Sequence, residues 1–350
     1  IKSKPTSNGS LIMKDFVADT TSVGNERILR AGGIVHARTA TPEFSSAAYT
    51  HSRLWGVTRN PWNPEFTPGG SSGGSAASLA AGTSVIATGS DIGGSIRIPA
   101  GACGLVGYKP PYGRNSDDPP LNLDFYCHTG PLARNVRDAI LLQNVMCGPH
   151  PKDMASLRPK LRLPADYPPI KDWKIAFSMD LGFFEVDPDV QKNTLKALDV
   201  FRDLGATVEE VEIGWDHRAL DAGMAYLSHL FGAYMAAYLA DHAEKMTNYV
   251  RQWAKEAQKS TSADFLQTLE VANEMYATVG PLLEKYHVLV CPTNALPAVP
   301  ADGRLLDQIH VDTNNDKPHR CATVIIYLND VPEGQENGQL AEYEWRSQRL

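Results

Sequence analysis

Two serines in this chain stand between glycines: Ser71 in Gly69-Gly70-Ser71-Ser72-Gly73-Gly74, and Ser95 in Asp91-Ile92-Gly93-Gly94-Ser95, 24 positions later. A serine hydroxyl is a poor nucleophile until a base takes its proton, and acyl transfer also needs N–H donors for the oxyanion that forms. Glycine on either side of a serine removes the Cβ that would hold a substrate off the backbone. Two such turns closing on one site would supply a nucleophile, a relay and a donor pocket. The run between them, AASLAAGTSVIATGS, has neither the charge nor the repetitiveness of a linker.

The base is not evident from residue types. Ten histidines are present, yet His36, His51 and His128 are isolated and read as structural or surface residues. Ser95 does not sit in a G-x-S-x-G elbow. No G-K-[ST] closes either glycine run, which excludes a phosphate-binding P-loop. The sequence offers no HExxH and no Cys/His cluster, so neither a metal nor a cofactor is expected.

Together with Asn60-Pro61-Trp62 and Cys103-Gly104-Leu105-Val106-Gly107-Tyr108-Lys109-Pro110, the paired turns resemble the amidase signature family of serine hydrolases. The resemblance implies Ser95 as the nucleophile and Ser71, held by a cis peptide bond, as the proton relay to a lysine. It also implies an oxyanion hole from the N–H groups of Ile92, Gly93 and Gly94 with that of Ser95, and Ser45 and Gly70 on the substrate side. The family's lysine lies well upstream of the bridging serine, and spacing selects Lys2, 69 positions before Ser71. Lys14 has the family's following aspartate, Asp15, but falls inside the stretch that leads to the T-x-x-P-E-F element at Thr39–Phe44. As a base Lys2 must be neutral, which calls for burial among uncharged hydroxyls. Asp91 and Arg97 read as a supporting frame, Ser72 as support, and Phe44 as a packing residue.

The function so implied is hydrolysis of amides, and of carbamates (a urethanase activity) or esters, through an acyl-enzyme and without cofactor or metal. The alternative is the amidase subunit of a tRNA-dependent amidotransferase. After Tyr112-Gly113-Arg114 such subunits carry an S-x-D-Q-x-G-P element. This chain has Asp124-Phe125-Tyr126-Cys127-His128-Thr129-Gly130-Pro131 there, which favours the hydrolase.

The elements that must hold these turns belong to an α/β fold, one large domain over residues 1–350 with a twisted mixed central sheet flanked by helices on both faces. Within it, 60–110 forms the signature core and 214–286 a helical insert shaping the substrate pocket. Periodicity predicts helices at 22–31, 75–81, 131–146 and 187–204. In the 131–146 helix, Val136, Ile140, Leu141 and Val145 share a face. Strands are predicted at 174–178, 206–213 and 287–291, the first two in a β–α–β unit that suggests parallel pairing. A strand at 322–328 and a closing helix at 339–348 are also expected. At 350 residues, 43% of them hydrophobic, the chain can bury a large core. A net charge of −7 without a basic run argues against nucleic-acid or acidic-membrane partners. The expected partner is a small amide or carbamate, and a homodimer is compatible with such a chain. No run of 18 apolar residues predicts a membrane span. Five cysteines without a CxxC, and no signal-peptide pattern at the start, point to reduced thiols in the cytoplasm.

Overall fold

Small residues let the first half of the chain pack its backbone closely around two loops. The computed structural model describes residues 1–301. The strand expected at 322–328 and the helix expected at 339–348 lie outside the described residues. Helix α1 (Val23–Arg30) is followed by a short antiparallel hairpin, β1 (His51–Ser52) and β2 (Gly56–Val57). Then come α2 (Gly73–Ala80), β3 (Ile86–Asp91), α3 (Arg97–Cys103), β4 (Val106–Gly107), β5 (His128–Ala133) and α4 (Val136–Met146). Strands β3, β5 and β4 form an antiparallel sheet in that order, with Asp91 opposite His128 at one end and Ile86 opposite Ala133 at the other. Leu79, Ile96, Ala100 and Leu132 fill the space between α2, α3 and this sheet. Full burial of a leucine or isoleucine contributes about 1.5–3 kcal/mol, so this cluster fixes how the two helices sit on the sheet.

The predicted helix at 131–146 begins later than its proline suggested. Pro131 lies within strand β5, and α4 starts after Asn135, whose side chain accepts the N–H of Asp138 at 2.8 Å. The buried face of α4 is Ala139, Ile140, Leu142, Gln143 and Met146, while Leu141 is 59% exposed.

The second half contains β6 (Lys174–Phe177), α5 (Pro188–Asp203) and β7 (Thr207–Glu210), a β–α–β unit whose strands pair in parallel as the sequence indicated. Asp187 caps α5 by accepting the Asp189 N–H, proline occupies its first turn, and Gly205 ends it at φ +91°. Strand β8 (Val288–Val290) joins the other side of β6, also in parallel. Between β7 and β8 the chain is helical but broken. It passes through α6 (Arg218–Leu227), a π turn (Ser228–Gly232), α7 (Ala233–Ala236), α8 (Leu239–His242), α9 (Asn248–Lys259) and α10 (Ser262–Leu283). Val279 and Leu283 of α10 pack with Ala176 of β6, Leu289 of β8, Leu181 and Ile213. The fold is α/β, and among the described residues its antiparallel and parallel strands form separate ladders rather than one continuous sheet.

Candidate active site

The loop carrying Ser95 is a five-residue turn from the end of β3 into α3, and a buried carboxylate organises it. Asp91 is fully buried. Its Oδ1 accepts the N–H of Gly94 at 2.7 Å, and its Oδ2 accepts those of Ile96 at 3.1 Å and Arg97 at 3.3 Å. The Arg97 guanidinium closes on the same carboxylate, Nε to Oδ2 at 2.9 Å and Nη2 to Oδ1 at 2.8 Å. Burial by itself would raise the Asp91 pKa. The two Arg97 bonds, the charges of Arg97 and Lys109 and the Gly94 N–H outweigh it and hold the carboxyl well below the usual range. Asp91 and Arg97 are therefore the frame the sequence indicated. Gly94 is where this turn requires glycine, at φ +118°.

Lys109 completes the frame, and its residue type alone assigned it no role. Its Nζ donates to the Ile92 carbonyl at 3.1 Å and lies 3.4 Å from Asp91 Oδ1, with 13% of the side chain exposed. Burial pushes the Lys109 pKa down and Asp91 opposes that shift. In the sequence Lys109 stands in the Cys103–Pro110 motif, a lysine in an otherwise apolar segment.

The second loop reaches Ser95 through the main chain. The Ser72 N–H donates to the Ser95 carbonyl at 3.1 Å. The Ser72 hydroxyl bridges to Ser90 of β3, accepting its N–H at 3.3 Å and donating to its carbonyl at 3.4 Å. The Gly70–Ser71 peptide bond is cis, and Ser71 is buried. Gly70 passes so close to Tyr49 that a Cβ would come within 2.6 Å of the Tyr49 nitrogen, which packs the Ser71 loop against the segment following Thr39–Phe44. Neither the Ser71 nor the Ser95 hydroxyl has a hydrogen-bond partner among the described residues.

Two of the expected site residues make other contacts here. The Gly94 N–H is already donated to Asp91, so it does not face an oxyanion; Ile92 and Gly93 remain of the three predicted donors. Gly93 is exposed, and its N–H has no acceptor among the described residues. Lys2 makes no hydrogen bond to Ser71 or Ser95 among the described residues. It is exposed, and its hydrogen bond is a main-chain one, to Thr21 Oγ1 at 2.9 Å. The burial required of a base is absent there. Lys14 is also exposed and lies beside Asp15.

Tyr49, against which the Ser71 loop packs, belongs to a buried cluster with Phe44 and Tyr249. Ser45, at φ +58°, shares a hydrogen bond with Thr41 across 3.1 Å. Next to it Phe44 stacks on Tyr238 and meets Tyr234 edge-on. Glu43 is a buried brace, accepting from Ser10 Oγ at 2.6 Å and from the N–H and hydroxyl of Thr247 at 2.7 Å. On the other side α6 borders the nucleophile loop, with Leu227 Cδ1 standing 3.8 Å from where a Gly93 Cβ would be. The adjacent Tyr226 donates to the buried Asp124 at 3.0 Å. Cys103, Cys127 and Cys291 are free thiols whose pKa burial pushes up to about 12, so none competes with the serines as a nucleophile. No helix among the described residues is long and apolar enough to cross a membrane.

A family model described as Amidase matches residues 1–329. A glutamyl-tRNA(Gln) amidotransferase subunit from a Cyanothece species is 39% identical over 219 residues, 60% of this chain and 44% of that protein. An acylamidase of Rhodococcus erythropolis is 32% identical over 302 residues, 85% of this chain and 63% of that protein. Among solved structures, a bacterial aryl acylamidase of the amidase signature family superposes with a TM-score of 0.81 at 28% identity, covering 86% of this chain and 65% of that one. The chain thus spans less than two thirds of the length of each.

Proposed function

The chain belongs to the amidase signature family, and from that membership we propose that it hydrolyses amides through an acyl-enzyme on Ser95, with Ser71 as the proton relay. The observation that carries this reading is the hydrogen bond from the Ser72 N–H to the Ser95 carbonyl. It ties the two glycine-flanked serine turns to each other beside the Asp91–Arg97–Lys109 frame, which supports their sharing one site.

In this mechanism the Ser95 hydroxyl loses its proton through Ser71 and attacks the substrate carbonyl carbon. The carbonyl oxygen becomes an oxyanion facing the N–H groups of Ile92, Gly93 and Ser95. One such donor is typically worth about 3 kcal/mol of barrier. The relayed proton then passes to the leaving nitrogen, and water cleaves the acyl-enzyme by the reverse path. Spacing alone speaks for Lys2 as the final proton acceptor; its exposed side chain lends no support, and the reading rests on the two serines. Ser45 and Gly70 line the acyl side, and the helical insert borders the opposite one. The aromatic residues there favour an apolar or aryl acyl partner, and carbamates and esters fall within the same chemistry. A cytoplasmic location and a homodimeric state belong to the same proposal.

The second reading is an amidotransferase subunit, favoured by the higher identity of the shorter alignment. The acylamidase alignment reaches further along this chain, and Tyr226 of the insert bonds to Asp124 in the segment that departs from the amidotransferase pattern. Turnover of a panel of anilides, primary amides and aryl carbamates, with glutamine hydrolysis in the presence of a partner subunit, separates the two. A fluorophosphonate should label Ser95, and Ser95→Ala should abolish both labelling and turnover. Equal labelling of that variant would show the nucleophile to be another residue.

A further inference from the structure

Lys109 is a buried cation of the frame whose hydrogen bond goes to the nucleophile loop's own backbone. Its main chain is fixed from behind, because the adjacent Tyr108 N–H donates to the Pro131 carbonyl of β5 at 3.1 Å. From that anchor the Nζ reaches the Ile92 carbonyl at 3.1 Å. In a planar trans peptide the C=O and N–H point in opposite directions. Holding the Ile92 oxygen toward Lys109 therefore turns the Gly93 N–H the other way, onto the exposed side of the loop. The next peptide is fixed independently, since the Gly94 N–H is bound by Asp91. The Ile92–Gly93 peptide is left with Lys109 as its restraint among the described residues.

Resting on the acyl-enzyme reading above, we propose that Lys109 is a positioning residue for acylation: by gripping the Ile92 carbonyl it aims the Gly93 N–H at the oxyanion. It does not touch the substrate. Lys109 Nζ also lies 3.4 Å from Asp91 Oδ1, the carboxylate oxygen that holds the Gly94 N–H, so one cation touches two successive peptides of the loop through its neighbours. A donor whose orientation is set before the reaction stabilises the charge that develops in the transition state more than the neutral carbonyl of the bound substrate. Loss of Lys109 should therefore appear in kcat and not in KM.

The test is Lys109→Met against the parent and Lys109→Arg, with steady-state kinetics on an anilide and a crystal structure of the Met variant. Lys109→Met should lower kcat about 100-fold with KM within about threefold, as for removal of one oxyanion donor. Lys109→Arg, which keeps charge and donors, should recover at least about tenfold of the loss on the same scale. The crystal structure should show the Ile92–Gly93 peptide rotated. An unchanged kcat, a loss confined to KM, or an unrotated peptide overturns the proposal. If Lys109→Met does not fold, Lys109→Leu, which likewise has no donor, is read in the same way. A parent that neither turns over amides nor reacts with a fluorophosphonate overturns the hydrolase reading instead, and the peptide's orientation then decides the role of Lys109 alone.

Discussion

Arg97 grips Asp91 from the far end of the Ser95 turn, through Nε at 2.9 Å and Nη2 at 2.8 Å, and its own N–H donates to that carboxylate at 3.3 Å. The pair is buried, and the loop between its members is the one that presents Ser95. A surface ion pair contributes little, but removing one member of a buried pair leaves an uncompensated charge.

Arg97→Met should therefore destabilise the protein by about 3–5 kcal/mol. Lys109 stays beside Asp91 and moderates the loss, so the lower end is expected. Equilibrium urea denaturation measures it. A change below about 1 kcal/mol, the scale of an exposed pair, would show that the frame does not hold the turn.

The two glycines before Ser95 should respond differently to alanine. Gly94 sits at φ +118°, where a Cβ is strained, so Gly94→Ala should cost about 1–3 kcal/mol of stability. Gly93 has room, since among the described residues a Cβ there meets only Leu227 Cδ1, at 3.8 Å. Gly93→Ala should leave stability within about 0.5 kcal/mol, as for substitutions away from strained or packed sites. It should nevertheless slow turnover, because the new methyl stands on the face that receives the substrate. Thermal melts alongside anilide kinetics separate the two effects, and equal destabilisation of both variants would contradict the assigned conformations.

The glycine-flanked serines and the Asp91–Arg97 frame were legible in the sequence because their chemistry is local. Each lies in or at the ends of one turn, and only α2 and β3 separate the two turns. The β–α–β unit around α5 was legible for the same reason, with Asp187, Pro188 and Gly205 marking its ends. Lys109 was not legible, because its partner Ile92 is 17 positions away and is met through a carbonyl, which no residue type announces. The onset of α4 was misplaced because Pro131 reads as a helix start, whereas Pro131 belongs to strand β5. The assignment of Lys2 rested on counting positions. Counting carries no information about burial, and the side chain is exposed.

Lys2→Ala is accordingly expected to leave acylation nearly unchanged, within about threefold, the small effect typical of an exposed position away from packed or paired groups. Single-turnover acylation across pH is the informative measurement. A loss of about 100-fold or more, the scale of a lost general base, together with a flattened acid limb, would return Lys2 to the relay as its base.

His128 sits opposite Asp91 on the neighbouring strand and supplies a pH dependence of stability that is separate from catalysis. Its Nε2 lies 2.9 Å from the Phe125 carbonyl, an acceptor, so Nε2 carries the hydrogen and the ring is satisfied when neutral. Burial, together with the Lys109 charge, lowers its pKa from 6.5 to about 4. Between those values the unfolded chain holds a proton on this ring and the folded protein does not, so stability rises with pH across the window. The contribution is complete above about pH 6.5 and is lost as pH falls toward about 4. Going from about pH 7 to about pH 5 should cost about 2 kcal/mol through this residue. Asp91 does not confound the comparison, because its carboxyl is held below the normal value of 3.8 and titrates under that window. Urea denaturation of the parent and of His128→Gln at the two pH values gives the difference directly. The variant should be less sensitive to acid by that amount, and an equal pH dependence in the two proteins would rule out a neutral, buried His128.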